Sequence, residues 1–168
     1  MENDEQKIID GHKKFGPDLC MLAWELIEKK DRTPEESDTM LNAVHASAYH
    51  WSQLKGHVDD NRWKHSFAIS HHQIALVYVE IGNATQALYH AHRCLEYFQK
   101  YGVGGFPDAY GYDVLARAYN LIGDVKNRND AIRKAIDAGN RIEEKQFRDS
   151  FFAELAQVQG YEDIVNTT

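Results

Sequence analysis

The stretches ALVYVEIGNATQA (residues 75–87) and ARAYNLIGDVKNRNDA (residues 116–131) decide how this chain folds. Four landmarks recur in them: Ala75, Tyr78, Gly82 and Ala87 in the first, and Ala116, Tyr119, Gly123 and a shifted Ala131 in the second. The first three pairs are each 41 positions apart, as from 75 to 116. Small residues and a tyrosine at these spacings allow two helices to cross closely at a glycine turn. Repetition of the unit predicts a stack of helical hairpins.

Helical periodicity extends outward from these two units in seven segments, and no strand pattern occurs. Pro17 is predicted to open the first helix, which ends near Lys30. Thr33, Pro34 and Glu36 are typical of an N-cap, a proline at the first helical position and early negative charge, so a second helix starts there. The remaining helices are expected from about Asp59 to Gly82, after the cap Asn83, from Pro107 to Gly123, from the cap Asp124 to about Gly139, and from Glu143 to Val158.

The first unit resembles the tetratricopeptide repeat family. Its spacing Tyr-x-x-x-Gly-x-x-x-x-Ala, formed by Tyr78, Gly82 and Ala87, is the part of that family's consensus that this chain retains. The chain departs from the consensus where Ala75 replaces the first glycine and His71 replaces the aromatic residue. The period of 41 also exceeds the usual period of about 34, which indicates longer helices.

This resemblance implies an all-α protein with the right-handed superhelix of the tetratricopeptide class. We expect about three helical hairpins followed by a C-terminal capping helix, in a single domain over residues 1–168. Residues 1–15 are expected to be poorly ordered or to form an N-terminal extension. The segments His45–Trp51 and His90–Asp124 also resemble a family of small bacterial helical proteins, a resemblance that implies no reaction mechanism.

Charge, hydropathy and cysteine content indicate which partners and which cellular compartment to expect. The 19 basic and 26 acidic side chains give a formal charge of −7, and no dense basic run occurs, so nucleic acid is not an expected partner. No segment is long and apolar enough to cross a bilayer, so no membrane partner is expected either. Cys20 and Cys94 have no CxxC partner, which favours reduced thiols and a cytoplasmic protein.

The tetratricopeptide resemblance also implies a ligand groove, because the first helix of each hairpin lines the concave side in that family. The implied groove residues are Ile69, His72, Leu76, Val79 and Glu80 in one unit, and Tyr110, Asp113, Arg117 and Asn120 in the next. Such a groove is apolar at one end and hydrogen-bonding at the other, which suits an extended peptide or a small polar ligand. The alternative is a polar face that contacts only water.

Histidines form the second candidate feature. Eight of the nine lie between positions 45 and 92: His45, His50, His57, His65, His71, His72, His90 and His92. No two of them have the i, i+3 or i, i+4 spacing that places two metal ligands on one helix face, so no metal ligand is predicted. A metal site would require residues from different helices, and the alternative is that these histidines are half-buried packing and capping groups.

A second pocket is a further alternative, where the second helix meets the third. Here an arginine could lie against the faces of aromatic rings and leave a polar pocket beside them. The residues concerned are His45, Tyr49, Trp51, Arg62 and Trp63. The competing interpretation is that the two tryptophans are core anchors, since aromatic residues dominate helical cores.

No arrangement typical of catalysis occurs in this chain. No Ser/His/Asp set, carboxylate pair or phosphate-binding loop is defensible, so no catalytic residue and no cofactor is predicted. We therefore expect a non-catalytic protein- or peptide-binding module whose partner is a protein, a peptide or a second copy of this chain. The alternative is a small-ligand-responsive or metal-responsive sensor or enzyme that uses the histidine and aromatic residues of helices two to four.

Overall fold

The computed structural model describes residues 2–102 and 106–166, and within these ranges the chain forms eight α-helices and no strand. They are α1 (Glu2–Glu28), α2 (Pro34–Gln53), α3 (Asp60–Glu80), α4 (Ala84–Tyr101), α5 (Phe106–Leu121), α6 (Val125–Gly139), α7 (Lys145–Leu155) and α8 (Tyr161–Val165). The all-helical prediction is confirmed for this part of the chain. None of these helices combines the length and the apolar character that crossing a bilayer requires.

Consecutive helices pack in pairs in the order of the sequence: α1 with α2, α3 with α4, and α5 with α6. Neighbouring pairs also contact each other, since α2 packs on α3 and α4 packs on α5. The first helices of the pairs meet in succession, because α1 contacts α3 and α3 contacts α5. The short helices α7 and α8 pack on α6, and α7 also contacts α5. The specific superhelix of the tetratricopeptide class stays a prediction.

The two glycine turns of the fold-deciding stretches have the same local structure. Gly82 and Gly123 adopt left-handed backbone angles, with φ of 75° and 69°. In each turn the amide of the residue after the glycine donates a hydrogen bond to a tyrosine carbonyl, that of Tyr78 at 2.9 Å or Tyr119 at 3.1 Å. Because a positive φ is favourable only for glycine, this residue type closes both hairpins.

The tyrosines of these turns also have similar surroundings. The hydroxyl of Tyr78 on α3 shares a hydrogen bond with His45 Nε2 on α2 at 2.9 Å. The hydroxyl of Tyr119 on α5 approaches His92 Nε2 on α4 at 3.4 Å. Each tyrosine therefore lies on the first helix of one pair and contacts a histidine on the second helix of the preceding pair.

The predicted helix starts at the three capping sequences are confirmed. Thr33 and Glu36 form a reciprocal capping box with Pro34 in the first turn of α2. The side chains of Asn83 and Asp124 each accept a hydrogen bond from a backbone amide in the first turn of α4 and α6. Local hydrogen bonding thus sets the starts of these three helices.

The predicted start of the first helix is wrong, because α1 begins at Glu2 and continues through Pro17. Residues 2–15, expected to be poorly ordered or an N-terminal extension, belong to this helix. Close packing on α2 accompanies the proline: the Ser47 hydroxyl donates to the Gly16 carbonyl at 2.8 Å. A Cβ atom at Gly16 would lie 3.4 Å from the indole of Trp51, which is an ordinary contact distance, so the two helices are in direct contact here. Contacts with α2 hold a helix that the proline alone would interrupt.

Candidate functional site

A groove runs along the first helices of the three pairs and past the C-terminal end of α7. Two adjoining cavities of about 350 Å³ and about 390 Å³ form it. Four residues line both cavities: Trp24, His72, Tyr110 and Glu154. We call this feature the α1/α3/α5 groove, with a polar cavity, which includes Asp113 and Arg117, and an apolar cavity, which includes Ile69.

Most of the groove residues predicted from the resemblance lie in these cavities. Seven of the predicted residues line one cavity or both: Ile69, His72, Leu76, Glu80, Tyr110, Asp113 and Arg117. Asn120 lines neither, because it lies near the end of α5 and its Oδ1 accepts a hydrogen bond from Arg128 on α6 at 3.1 Å. Val79 packs against the largest core cluster. The structure therefore places seven of the predicted residues in the groove, and it places Val79 and Asn120 outside it.

The sequence analysis did not assign the other lining residues to the groove. They come from α1, from α3 and from the C-terminal part of the chain. They are Trp24, Ile27, Glu28, His65, Glu154 and Gln157. A signal for the α1 residues exists, because Trp24, Ile27 and Glu28 are three and four positions apart and share a helix face. No local pattern connects that face with α5, so only the packing of the pairs reveals it.

A buried ion pair occupies the polar cavity. Arg117 Nε donates to Asp113 Oδ2 at 2.8 Å, and Arg117 Nη2 donates to the Glu154 carbonyl oxygen at 2.9 Å. Only 5% of the Asp113 side chain is exposed. The second oxygen, Asp113 Oδ1, is buried and has no hydrogen-bond partner among the described residues. A buried acceptor without a partner is uncommon in folded proteins and requires an explanation.

Burial and neighbouring charges change the protonation of the groove carboxylates. Burial raises the pKa of Asp113, although Arg117 opposes this effect by stabilising the carboxylate. Burial and the negative charge of Asp113 raise the pKa of Glu154. Burial also raises the pKa of Tyr110, and Glu154 adds to that shift. Negative charge is therefore crowded at this end of the groove.

His72 is an uncharged polar group of the groove. Burial and the nearby Arg117 guanidinium lower its pKa to about 4, so the imidazole is neutral at neutral pH. Its ring lies between two aromatic walls, with centroids 6.2 Å from Trp24 and 5.8 Å from Tyr110. The charge of the polar cavity thus comes from four carboxylates and one guanidinium: Glu28, Glu80, Asp113 and Glu154 with Arg117.

A second group of polar aromatic residues lies on the opposite side of α3, and we call it the histidine cluster: His45, His71, His90 and Tyr78. Ring nitrogens Nδ1 of His71 and His90 are 3.1 Å apart and share a hydrogen bond, and the rings stack with centroids 5.3 Å apart. The ring of His45 lies 5.8 Å from that of His90. Because His45 also bonds Tyr78, each member of the cluster has a hydrogen bond to another member.

These histidines are neutral for physical reasons similar to those at His72. Burial, together with the positive charge of Arg93 and neighbouring histidines, lowers the pKa of His71 and of His90 to about 4. Burial also lowers the pKa of His45. In residues 2–102 and 106–166, no group of three His, Cys, Asp or Glu side chains is arranged to hold a metal ion.

The five residues of the alternative pocket are not brought together. Trp51 and Arg62 line a separate cavity of about 320 Å³, and the guanidinium carbon of Arg62 lies 5.8 Å from the Trp51 ring centroid. Trp63 is buried beside them and donates from Nε1 to the Trp51 carbonyl at 2.9 Å. His45 belongs to the histidine cluster, and Tyr49 is mostly exposed. The predicted contact of arginine with tryptophan is present, without the other two residues.

The fold and this geometry define an all-helical protein of packed hairpins with a groove along the first helices. No protein-family model, no curated protein and no solved structure matches the chain. The resemblance to tetratricopeptide repeats therefore stays a prediction, and the function is argued from the groove alone.

Proposed function

We propose that this protein is a non-catalytic binding module that accepts an extended peptide segment in the α1/α3/α5 groove. One observation carries the proposal: two adjoining cavities, one polar and one apolar, share four wall residues along the first helices of the pairs. Each cavity has a volume in the range of ligand sites, which is about 300–1,000 Å³. A segment that places one side chain in each cavity fits this arrangement better than a compact ligand does.

The walls of the groove support a peptide because they offer both kinds of contact that a peptide requires. Trp24, Ile69 and Tyr110 provide apolar and aromatic surface for a side chain. Asp113 and Glu154 provide hydrogen-bond acceptors for backbone or side-chain donors at the other end. Both surfaces belong to packed helices, which hold them in place before a ligand arrives.

The partner and location are part of the same proposal. A cytoplasmic peptide or protein segment is the ligand that we expect, and both Cys20 and Cys94 are free thiols, which supports a reducing compartment. Association with a second copy of this chain stays a prediction. The alternative of a sensor or enzyme also stays a prediction, since the histidine cluster lines neither cavity of the groove.

The test is selection of peptides from a random library displayed on phage, followed by calorimetry with the synthetic peptides. Ile69→Arg places a long charged side chain in the apolar cavity, and Ile122→Arg makes the same substitution at an exposed position outside the groove. We expect the peptides to bind the wild type and Ile122→Arg alike and to lose about tenfold or more, about 1.4 kcal/mol, with Ile69→Arg. Circular dichroism of both variants verifies that they fold.

Two results would overturn the proposal. The first is a library that yields no peptide with measurable affinity for the wild type. The second is a set of peptides whose affinity Ile69→Arg leaves unchanged, because those peptides would occupy another surface.

A further inference from the structure

The unpartnered oxygen of Asp113 indicates what the ligand must provide. Asp113 lines the polar cavity, and its Oδ1 is buried with no hydrogen-bond donor among the described residues, although Oδ2 of the same carboxylate is bonded to Arg117. Folded proteins seldom leave such an acceptor unsatisfied unless water or a ligand supplies the donor. Because Asp113 lines the polar cavity, a ligand in that cavity is the group that we expect to satisfy this carboxylate.

The charges around the oxygen specify the donor further. Four carboxylates and one guanidinium line the polar cavity, and His72 is uncharged. One of the carboxylates, Glu80, is also paired with Arg32 at 2.9 Å, so carboxylates still outnumber guanidinium groups. Arg117 is already bonded to Asp113 on one side and to the Glu154 carbonyl on the other. An anionic ligand would meet this excess of negative charge, whereas a cation would be attracted by it.

We propose that the groove recognises a cationic group on an apolar stem, the side chain of lysine or arginine, which donates a hydrogen bond to Asp113 Oδ1. This inference rests on the proposed function, because it identifies the side chain of the bound peptide that enters the polar cavity. Free alkylamines carry the same chemistry, and the experiment below distinguishes the two sources.

The aromatic walls of the groove suit the stem of such a side chain. Trp24 and Tyr110 line both cavities, so a methylene chain that passes from one cavity to the other lies along their rings. Aromatic faces also attract cations, and the long apolar stems of lysine and arginine pack on apolar surface while the charged end stays in polar surroundings. Apolar and electrostatic contacts thus favour the same ligand.

The probes are derivatives of single residues: the Nα-acetyl methylamides of lysine, arginine, norleucine and glutamate, together with n-butylammonium. Nitrogen–proton correlation spectra of the folded protein follow the three tryptophan indoles, and Trp24→Phe assigns the signal of Trp24. Trp24 lies in the groove, whereas Trp51 and Trp63 form a separate cluster and serve as internal controls. Norleucine tests the stem without its charge.

We expect the lysine and arginine probes to shift the Trp24 signal, with the norleucine probe about tenfold weaker and the glutamate probe without effect. Asp113→Asn should weaken the cationic probes about tenfold and leave the norleucine probe unchanged. Glu154→Gln is the second variant, because it removes a charge while the backbone bond from Arg117 to residue 154 is kept. Asp130→Asn, in a surface ion pair outside the groove, is the matched control.

The outcomes separate this inference from the proposed function. Equal binding of norleucine and lysine, or binding of glutamate, overturns the cationic ligand while peptide binding in the groove stands. Binding of n-butylammonium as tight as that of the lysine probe supports the cationic group and overturns the peptide. No shift of Trp24 with any probe, together with no peptide from the library, overturns both proposals.

Discussion

Two sides of α3 each present a histidine, but the polar groups around the two histidines differ in their hydrogen bonding. His71 and His72 are adjacent in the chain, and successive helix positions point about 100° apart. His71 forms a hydrogen bond with His90 in the histidine cluster. In the same cluster, His45 forms a hydrogen bond with the hydroxyl of Tyr78. His72 faces the groove, where Asp113 has a buried oxygen without a partner.

This difference indicates a packing role for the histidine cluster and a binding role for the α1/α3/α5 groove. Polar groups that satisfy one another inside a protein need no ligand, so a high density of histidine is not by itself evidence of a site. A buried acceptor that its own fold leaves unpaired is evidence, because it persists only at a cost in stability. The groove therefore holds the better candidate site, although the cluster holds more of the residues that commonly bind metals.

The largest expected effect concerns the buried ion pair of the groove. Arg117→Ala leaves the Asp113 carboxylate buried without its counter-charge, so we expect a loss of about 3–5 kcal/mol in the free energy of unfolding. Urea denaturation measures it. Arg133→Ala breaks a surface pair with Asp130 and should cost no more than about 1 kcal/mol. Equal losses in the two variants would mean that Asp113 is not desolvated.

A double variant tests whether the ion pair of Asp113 and Arg117 is needed for stability or for binding. Asp113→Leu with Arg117→Met replaces the pair with apolar side chains, and such replacements of buried pairs are often neutral or stabilising. We expect the double variant to regain most of the stability that Arg117→Ala loses, measured by the same denaturation. It should nevertheless fail to bind the cationic probes. Retained binding would show that the pair serves the fold alone.

The next effect is the dependence of stability on pH. The pKa of His72 is about 4 in the folded protein and 6.5 without the effects of folding, so the unfolded chain takes up a proton first as the pH falls below 6.5. The contribution of His72 is therefore complete above pH 6.5 and is lost between about pH 6.5 and 4, at about 1.4 kcal/mol per pH unit. His71 and His90 act in the same direction.

Single variants of His72 in the groove and of His90 in the cluster test how much each histidine contributes to the pH dependence of stability. His72→Gln and His90→Gln should each reduce the slope of unfolding free energy against pH, because burial lowers the pKa of both histidines to about 4. The control is the same substitution, His57→Gln, at an exposed position between α2 and α3. A wild type whose stability is the same at pH 7 and pH 5 would contradict the neutral, buried histidines.

The middle of the groove was predictable from helical spacing. His72, Leu76 and Glu80 follow one another at intervals of four, and Asp113 and Arg117 do so on α5, so each set shares a helix face. Knowledge of one lining residue on a helix therefore gives the others. The prediction failed at Asn120, where α5 approaches its terminal turn and the side chain bonds α6 instead.

The far wall of the groove was not predictable, and neither was its unpaired oxygen. Trp24 and Glu154 both line this wall although they are far apart in the chain, and no local pattern predicts that they share a cavity. An aspartate and an arginine four residues apart predict an ordinary surface pair. In the structure, the Asp113 side chain is instead only 5% exposed, and one of its oxygens has no hydrogen-bond partner among the described residues.

The smallest expected effect compares the two tyrosines of the glycine turns. Tyr78→Phe removes a hydrogen bond of 2.9 Å to His45, and we expect a loss of about 0.5–1 kcal/mol in unfolding free energy. Tyr119→Phe removes a contact of 3.4 Å to His92 and should cost less than about 0.5 kcal/mol, because hydrogen bonds weaken with distance. Calorimetric unfolding measures both.

The order of these two losses tests which side of α3 depends on internal hydrogen bonds. Tyr78 belongs to the histidine cluster, so its hydroxyl is part of a network in which each bond supports the next. Tyr119 contacts a single exposed histidine that can bond water instead. His45→Gln combined with Tyr78→Phe completes a double-variant cycle, and a coupling energy near zero would show that the cluster is held by ring packing rather than by its hydrogen bonds.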